Sequence, residues 1–474
     1  MGSRLTWGVA DQGVSSLTNF LLNIFVARTL GAGAFGAFTL AYVTYGVANN
    51  VSRGLAIEPL LVRFSGTKME TWRRATSGST GTALLVGLAL GICALAAGIV
   101  AGGTTGLAFL GLGLMLPGLM LQDSWRYAFF AVGLGHHAFI NDVLWAVVEI
   151  PLLLVLKATG HANVFWLVIA WGAGAAVGAV VGAFQARAAP NVNRAFSWLK
   201  THRDLGPRFL VENLGGSGAS TLQSYTVSSL LGLESVGYMQ SANVLMGPFK
   251  IMSFGISMIT IPEAAILVRR DPRKALKYCA AISIGQTGLA VLWTVVLLIA
   301  LPQGFGHLML GGIWGKAYPL VLPTALAVIA GSAASGAITG LHAMGAAKLS
   351  LRVSVISAAF SLALTLTGAA LGSMLLTLYL VAAAAWVGTV LYWLQLRQAQ
   401  HESRTARMRS WAFRHPRGRH HKPANVRFPR FQATKNIGQT PVAGVAVSRP
   451  ATRGSYVRET RQGMPHAAMP GEET

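Results

Sequence analysis

The sequence predicts an all-α polytopic membrane protein: about twelve transmembrane helices in two parallel-repeat halves of six, placed around a central cavity. Three observations carry this expectation. Hydrophobic residues make up 53% of the 474 and charged residues only 11%, where a soluble globular domain carries roughly 25% charged residues. The charge is also unevenly placed, because residues 397–474 hold 15 of the 38 basic and 4 of the 15 acidic residues, leaving a long body that is almost uncharged. A bilayer core of ~30 Å takes ~20 apolar residues per helix, so that body holds about a dozen spans with short loops and no second globular domain. Thirdly, the two halves of the body repeat each other.

Apolar runs bounded by charge clusters and Gly/Pro breaks give the spans in order. The first, 7–30, is interrupted by Asp11, Gln12, Asn19 and Asn23, which is unlike the uniform core of a cleaved signal peptide, so it reads as a retained span. The next five fall at 36–60, 77–101, 106–122, 138–157 and 164–186, completing an N-terminal half over 1–186. Glycine runs such as GAGAAVGAVVGA at 172–183 suit close helix approach rather than a cofactor loop. A basic linker, 187–207, leads to a C-terminal half over 208–396, with spans at 208–231, 237–262, 279–301, 317–341, 349–371 and 374–396. The remainder, 397–474, is a basic tail.

Lysine and arginine test this topology independently, since cytoplasmic loops hold their excess. The even-numbered loops carry seventeen and the odd-numbered ones, with adjoining helix ends, only Arg28, Lys157 and Lys316. Both termini are therefore expected in the cytoplasm, and the +23 net charge reflects topology rather than nucleic-acid binding. Cys93 and Cys279 lie in or beside apolar runs, which leaves no disulfide framework.

The internal repeat joins ADQGVSSLTNF…LGAGAFG to VENLGGSGAST…LGLESVG. A shift of 201 residues superposes Asp11 on Glu212, Gly31 on Gly232 and Gly36 on Gly237. Six spans separate the two copies, an even number, so the repeat is parallel with its pseudo-two-fold along the membrane normal, an arrangement that places a transport site between the halves.

Three stretches, NFLLNIFVARTLGAGAFG (Asn19–Gly36), RGLAIEPL (Arg53–Leu60) and QDSWRYAFFAVGLGHHAFINDVLW (Gln122–Trp145), resemble the bacterial polysaccharide flippases of the multidrug/oligosaccharidyl-lipid/polysaccharide exporter superfamily. The likeness in gross pattern covers residues 1–396. It implies translocation of an undecaprenyl-diphosphate-linked oligosaccharide across the inner membrane, for cell-surface polysaccharide assembly. Where family members often carry a basic cluster before the NDVLW stretch, this chain has Gly135, His136 and His137.

Ionisable residues within spans cost about 2.5–3.5 kcal/mol on insertion scales and usually face a cavity or a partner. Arg53 lies roughly 10 Å deep in the second span. Lys250 is central in the eighth and falls, under the 201-residue shift, on Asn49, one helical turn from Arg53. They are the principal candidates for a cationic cavity that holds a diphosphate, Arg as a bidentate fork and Lys as a point charge. Arg28 and Arg126 complete the candidate substrate contacts. The alternative is structural, with Arg53 paired to Asp11 and Lys250 to Glu212. Ion-coupling candidates are Glu149, near the bilayer midplane and followed by Pro151, Asp142 on the same helical face, and the repeat-related Asp11 and Glu212; the coupled ion would be H+ or Na+. His136–His137 and His420–His421 lack a carboxylate or cysteine at ligand spacing, so no metal is expected. With no G-x-x-x-x-G-K-[ST] motif, no nucleotide cofactor is expected either.

Two other functions compete. An ion-coupled multidrug-type exporter on the same fold is disfavoured by Arg53 and Lys250, since greasy cations call for unbalanced acidic residues. A membrane-embedded polysaccharide polymerase or ligase needs a large extracytoplasmic loop, and the loops on that side are short. The tail, basic and Pro/Gly-punctuated, is expected to be disordered on the anionic leaflet, with docking of polysaccharide-assembly proteins as its alternative.

Overall fold

The computed structural model describes residues 2–414, and every regular element among them is helical. In the first half these are α1 (Gly2–Thr29), α2 (Ala32–Ser52), a π-helical turn (Arg53–Ile57), α3 (Glu58–Phe64), α4 (Met69–Ala101), α5 (Gly103–Ala131), α6 (Gly135–Ala158) and α7 (Val164–Ala186). The linker forms α8 (Ala195–Thr201), and the second half comprises α9 (Gly206–Leu231), α10 (Leu233–Leu245), α11 (Gly247–Arg270), α12 (Pro272–Ala300), α13 (Phe305–Leu310), α14 (Trp314–Ala343), α15 (Ala347–Ala370) and α16 (Met374–Arg414). Each expected span has a helical rod, α2–α3 and α10–α11 each forming one rod. The tail expectation for 415–474 lies outside the described residues.

Eight rods, built on α4, α5, α6, α7, α12, α14, α15 and α16, are long and apolar enough to cross a bilayer. The other four, α1, α2–α3, α9 and α10–α11, fall short of that measure because they are shorter or carry polar residues. They are also the two rod pairs related by the 201-residue shift. The bundle thus places its least lipid-compatible helices where the halves face each other.

Geometry at that interface shows the pseudo-symmetry directly. A Cβ on Gly36 would overlap the carbonyl of Leu233, and a Cβ on Gly237 would overlap the carbonyl of Ala32. Ala32 and Leu233 are themselves 201 residues apart, so the two contacts exchange under the repeat. Only glycine permits the N-terminal turns of α2 and α10 to cross so closely. Within the first half, the Cβ positions of Gly91 on α4 and Gly113 on α5 are each 2.7 Å from the other's carbonyl oxygen, the same device drawing two lipid-facing helices together. Trp72 and Phe129 are fully buried between α4 and α5, with Trp72 Nε1 donating to the Ala128 carbonyl at 3.0 Å, and Trp125 on α5 is fully buried against Gly182 of α7.

Several helices run past the expected bounds, α4 beginning at Met69 and α12 at Pro272, and two departures have an identifiable physical reason. The fourth span was expected to end at 122, yet α5 continues to Ala131; the charged stretch Asp123–Arg126 reads as a loop in sequence but is neutralised inside the bundle by partners on other helices. The π turn arises at Arg53–Ile57 because Pro59, on the next turn, has no N–H for the Leu55 carbonyl. Trp198 Nε1 on α8 supplies that donor at 3.3 Å, and Ser79 Oγ on α4 donates to the Ala56 carbonyl at 2.8 Å. The linker is pinned further by Arg63, which donates to both Asp204 carboxylate oxygens at 2.8 and 2.9 Å. The disorder expected from residue 397 does not hold for the first part of the tail: the last rod runs on as helix to Arg414, since 397–414 contains no glycine or proline and the first proline is Pro416.

Candidate functional site

A cavity of about 720 Å³ lies between the halves, walled by α1 and α2 on one side and α9, α10, α11, α14, α15 and α16 on the other. Its lining repeats under the 201-residue shift: Asn19 with Ser220, Asn23 with Ser224, Tyr42 with Asn243 and Val43 with Val244. Hydrogen bonds tie parts of this wall together, Tyr42 Oη donating to Asn19 Oδ1 at 3.2 Å and Gln240 Nε2 to Asn23 Oδ1 at 3.2 Å. The amides at i and i+4 on α1 are held by the helix itself, Asn23 Nδ2 donating to the Asn19 carbonyl at 2.8 Å.

Lys250 is the one charged residue lining the cavity among the described residues. Its Nζ donates to Asn243 Oδ1 at 3.4 Å, two turns back along the rod, and it makes no ion pair among the described residues. The sequence alternative of a Lys250–Glu212 pair does not form; Glu212 is exposed on α9.

The other intramembrane charges gather beside the cavity, inside the first half. Arg53, 29% exposed, makes a bidentate pair with Asp123, Nε to Oδ2 at 2.8 Å and Nη2 to Oδ1 at 2.7 Å, and its guanidinium lies 4.8 Å from the Tyr127 ring centroid. The Asn49 amide bridges the pair, nitrogen 2.9 Å from Asp123 and oxygen 3.3 Å from Arg53 in the orientation that satisfies both. Arg126 binds Asp11 from α1 through Nε at 2.7 Å and reaches Asp142 from α6 at 3.6 Å; Gln122 Nε2 donates to Asp142 Oδ1 at 2.8 Å. The pairing is therefore Arg53 with Asp123 and Arg126 with Asp11, in place of the Arg53–Asp11 pair weighed from sequence. Three carboxylates meet two guanidiniums, with Asp11, Asp123 and Asp142 all buried.

Glu149 sits two turns along α6 from Asp142, 1% exposed, with no hydrogen-bond partner for Oε1. It borders a void of about 10 Å³ shared with Ser15, Thr18, Asn19, Asp142 and Trp145, near the smallest volume that admits a single water. Ser15 and Asn19 line the central cavity as well, so one polar face of α1 separates the carboxylates from it. Arg28 is placed elsewhere, exposed at the end of α1 against Gly311. No group of three or more metal-binding side chains occurs among the described residues.

Sequence reasoning singled out Arg53, Arg126, Asp11 and Asp142 but not Asp123, Gln122 or Asn49 as their partners. The available signal is spacing: Asp123 and Arg126, which read as loop residues, lie within about one helical turn of Gln122, the last residue of the expected span.

No family model matches the chain, and no curated protein matches it significantly. Solved structures do. An inward-facing multidrug resistance MATE family transporter of the MOP superfamily aligns with a TM-score of 0.69 at 15% identity, over 82% of this chain and 96% of that one. The lipid II flippase MurJ in an inward closed conformation gives 0.64 at 13% identity, over 83% and 87%. A MOP superfamily transporter from Pyrococcus furiosus gives 0.55 at 14% identity, over 84% and 95%. The chain has the two-half helical fold of these membrane transporters.

Proposed function

We propose that this multi-pass membrane protein is a flippase that carries a polyprenyl-diphosphate-linked oligosaccharide across a bacterial cytoplasmic membrane by alternating access, for cell-surface polysaccharide synthesis. The diphosphate-sugar head enters the cavity between the halves while the polyprenyl tail stays in lipid. The observation that carries this is Lys250: a cation without an ion-pair partner, in a cavity lined by amides and hydroxyls and by no carboxylate among the described residues. Such a cavity attracts an anionic head and repels the cationic, apolar drugs expected of a multidrug-type exporter. The excess of Lys and Arg in the even-numbered loops supports a cytoplasmic side for both termini and for the linker between the halves.

The cluster beside the cavity supports ion coupling. Three carboxylates against two guanidiniums leave one surplus negative charge, which a proton or a Na+ balances at lower cost than an unpaired buried charge. Asp11, on α1, belongs to the wall between cluster and cavity, so filling or emptying the cluster changes what holds α1 to α5 and α6. Glu149 extends the same set of carboxylates toward the middle of the membrane.

Transport of a fluorescent lipid-linked oligosaccharide in proteoliposomes tests the reading. Lys250→Ala lowers the rate by tenfold or more at normal abundance, the loss expected when about 1.5–3 kcal/mol of a charge-assisted bond is removed, while Lys250→Arg retains part of it. Wild-type transport by Lys250→Ala overturns the assignment.

A further inference from the structure

A second cavity, of about 390 Å³, lies wholly within the second half between α11, α12 and α14, a size within the range of small-ligand pockets. It touches the central cavity at Lys250 and Val328, which line both. Its lining is largely apolar, with Phe249, Val328 and Ile338, and carries four serine hydroxyls whose protons are committed. Ser253 Oγ donates to Gln286 Oε1 at 2.9 Å, Ser257 Oγ to the Ser253 carbonyl at 3.0 Å, Ser332 Oγ to the Val328 carbonyl at 2.9 Å and Ser335 Oγ to the Ser332 carbonyl at 2.7 Å. Each hydroxyl oxygen therefore keeps a lone pair to offer as an acceptor. The matching donors are the His342 imidazole and Gln286, 2% exposed, whose Oε1 is taken by Ser253 and whose Nε2 has no hydrogen-bond partner among the described residues. Phe249 adds an apolar face.

This pattern selects its occupant. A metal cation would meet the Lys250 ammonium and the Gln286 amide protons, with no carboxylate lining the cavity among the described residues. A free phosphate would face a wall of acceptor lone pairs. A polyol satisfies both kinds of group, because every sugar hydroxyl donates and accepts, and the apolar face of a sugar ring suits Phe249. We infer that this cavity is a saccharide subsite, which receives a sugar ring of the head group while Lys250, at the junction, holds the diphosphate in the central cavity. The inference rests on the flippase reading and adds to it where the glycan is bound.

The test uses the full-length protein in detergent and native mass spectrometry, with two probes: undecaprenyl diphosphate and the same lipid carrying one hexose. The wild type binds the glycosylated lipid about tenfold more tightly, the gain expected of one or two buried hydrogen bonds. Gln286→Met, which keeps the volume and removes the amide, lowers that affinity to the level of the sugar-free lipid and leaves the sugar-free affinity unchanged. Ser335→Val, at a half-buried position, does the same by filling the cavity, and serves if Gln286→Met does not fold. Equal wild-type affinity for both lipids, or a parallel loss for both in the variants, overturns the saccharide subsite and leaves the diphosphate reading standing. Binding of neither lipid by the wild type overturns both.

Discussion

The crossing of α2 and α10 gives the sharpest mechanical prediction. At Gly36 an added Cβ would overlap the Leu233 carbonyl and lie 3.2 Å from the Gly237 nitrogen; both are backbone atoms, so no rotamer change relieves the clash and the two halves must separate at that end. Overpacking of this kind costs about 1–3 kcal/mol, charged only to the state in which the crossing is closed, and a cost of that size shifts a two-state equilibrium by about 5- to 150-fold. Gly46 is the internal control. It lies on the same helix, nothing approaches its Cβ position within 4 Å, and alanine there brings only the helix-propensity gain of about 1 kcal/mol. Double electron–electron resonance between labels at the α1–α2 and α9–α10 turns reports the separation, and flipping in proteoliposomes reports the rate. Gly36→Ala and Gly237→Ala are expected to broaden the distance distribution toward longer values and slow flipping at least fivefold, equally by pseudo-symmetry, with Gly46→Ala unchanged in both. Identical behaviour of Gly36→Ala and Gly46→Ala would refute the reasoning.

Arg53→Ala leaves the Asp123 carboxylate buried without its partner, so membrane abundance and thermal stability should fall, by up to about 3 kcal/mol; the Arg53→Ala/Asp123→Ala double variant should recover part of the loss in a double-mutant cycle by thermal unfolding. Glu149→Gln imitates a protonated carboxylate and is expected to keep normal abundance while removing the response of transport to an imposed pH gradient; full wild-type coupling would eliminate Glu149 as an ion site. His202, outside the membrane against Trp198 at 4.0 Å between ring centroids, has its pKa pushed below the ordinary imidazole value by burial, against the raising effect of its bond to the Trp198 carbonyl. Its neutral form is the folded form, so this contribution is present above about pH 6.5 and is lost as the pH falls through the lowered folded value. Unfolding temperatures measured from pH 7.5 to 5 should fall less steeply in His202→Phe than in the wild type.

The twelve rods and the repeat were legible in the sequence because both depend on local features, hydrophobic run length and Gly/Pro punctuation. The π turn was not, since it reflects Pro59 together with a donor, Trp198, more than 100 residues away. The same distinction applies at the site. Lys250 stands out from sequence as a lone cation in an apolar run, and it does face the cavity. Arg53 stands out equally, yet its guanidinium is committed to Asp123, a partner 70 positions on that reads as a loop residue. Composition shows where a charge is costly; only the fold shows which other charge offsets the cost.

Repeat-related positions have diverged in chemistry while keeping their places. Asn49 and Lys250 coincide under the shift, but the first is an uncharged bridge within an ion cluster and the second a cation facing the cavity. Arg53 coincides with Phe254, and Asp11, buried against Arg126, with the exposed Glu212. The first half thus concentrates carboxylates and guanidiniums in a cluster beside the cavity, whereas the second has hydroxyls, an amide and one lysine at its cavities. A symmetric pair of charged halves would present both signs to the cavity and bind a diphosphate head and a cation there in competition. Separating the functions would, on the flippase reading, let an ion act on α1 from behind the wall while the substrate occupies the front of it, the two being coupled through the position of one helix rather than through contact. On the flippase reading, the divergence of the repeat is what converts two similar halves into one coupled device.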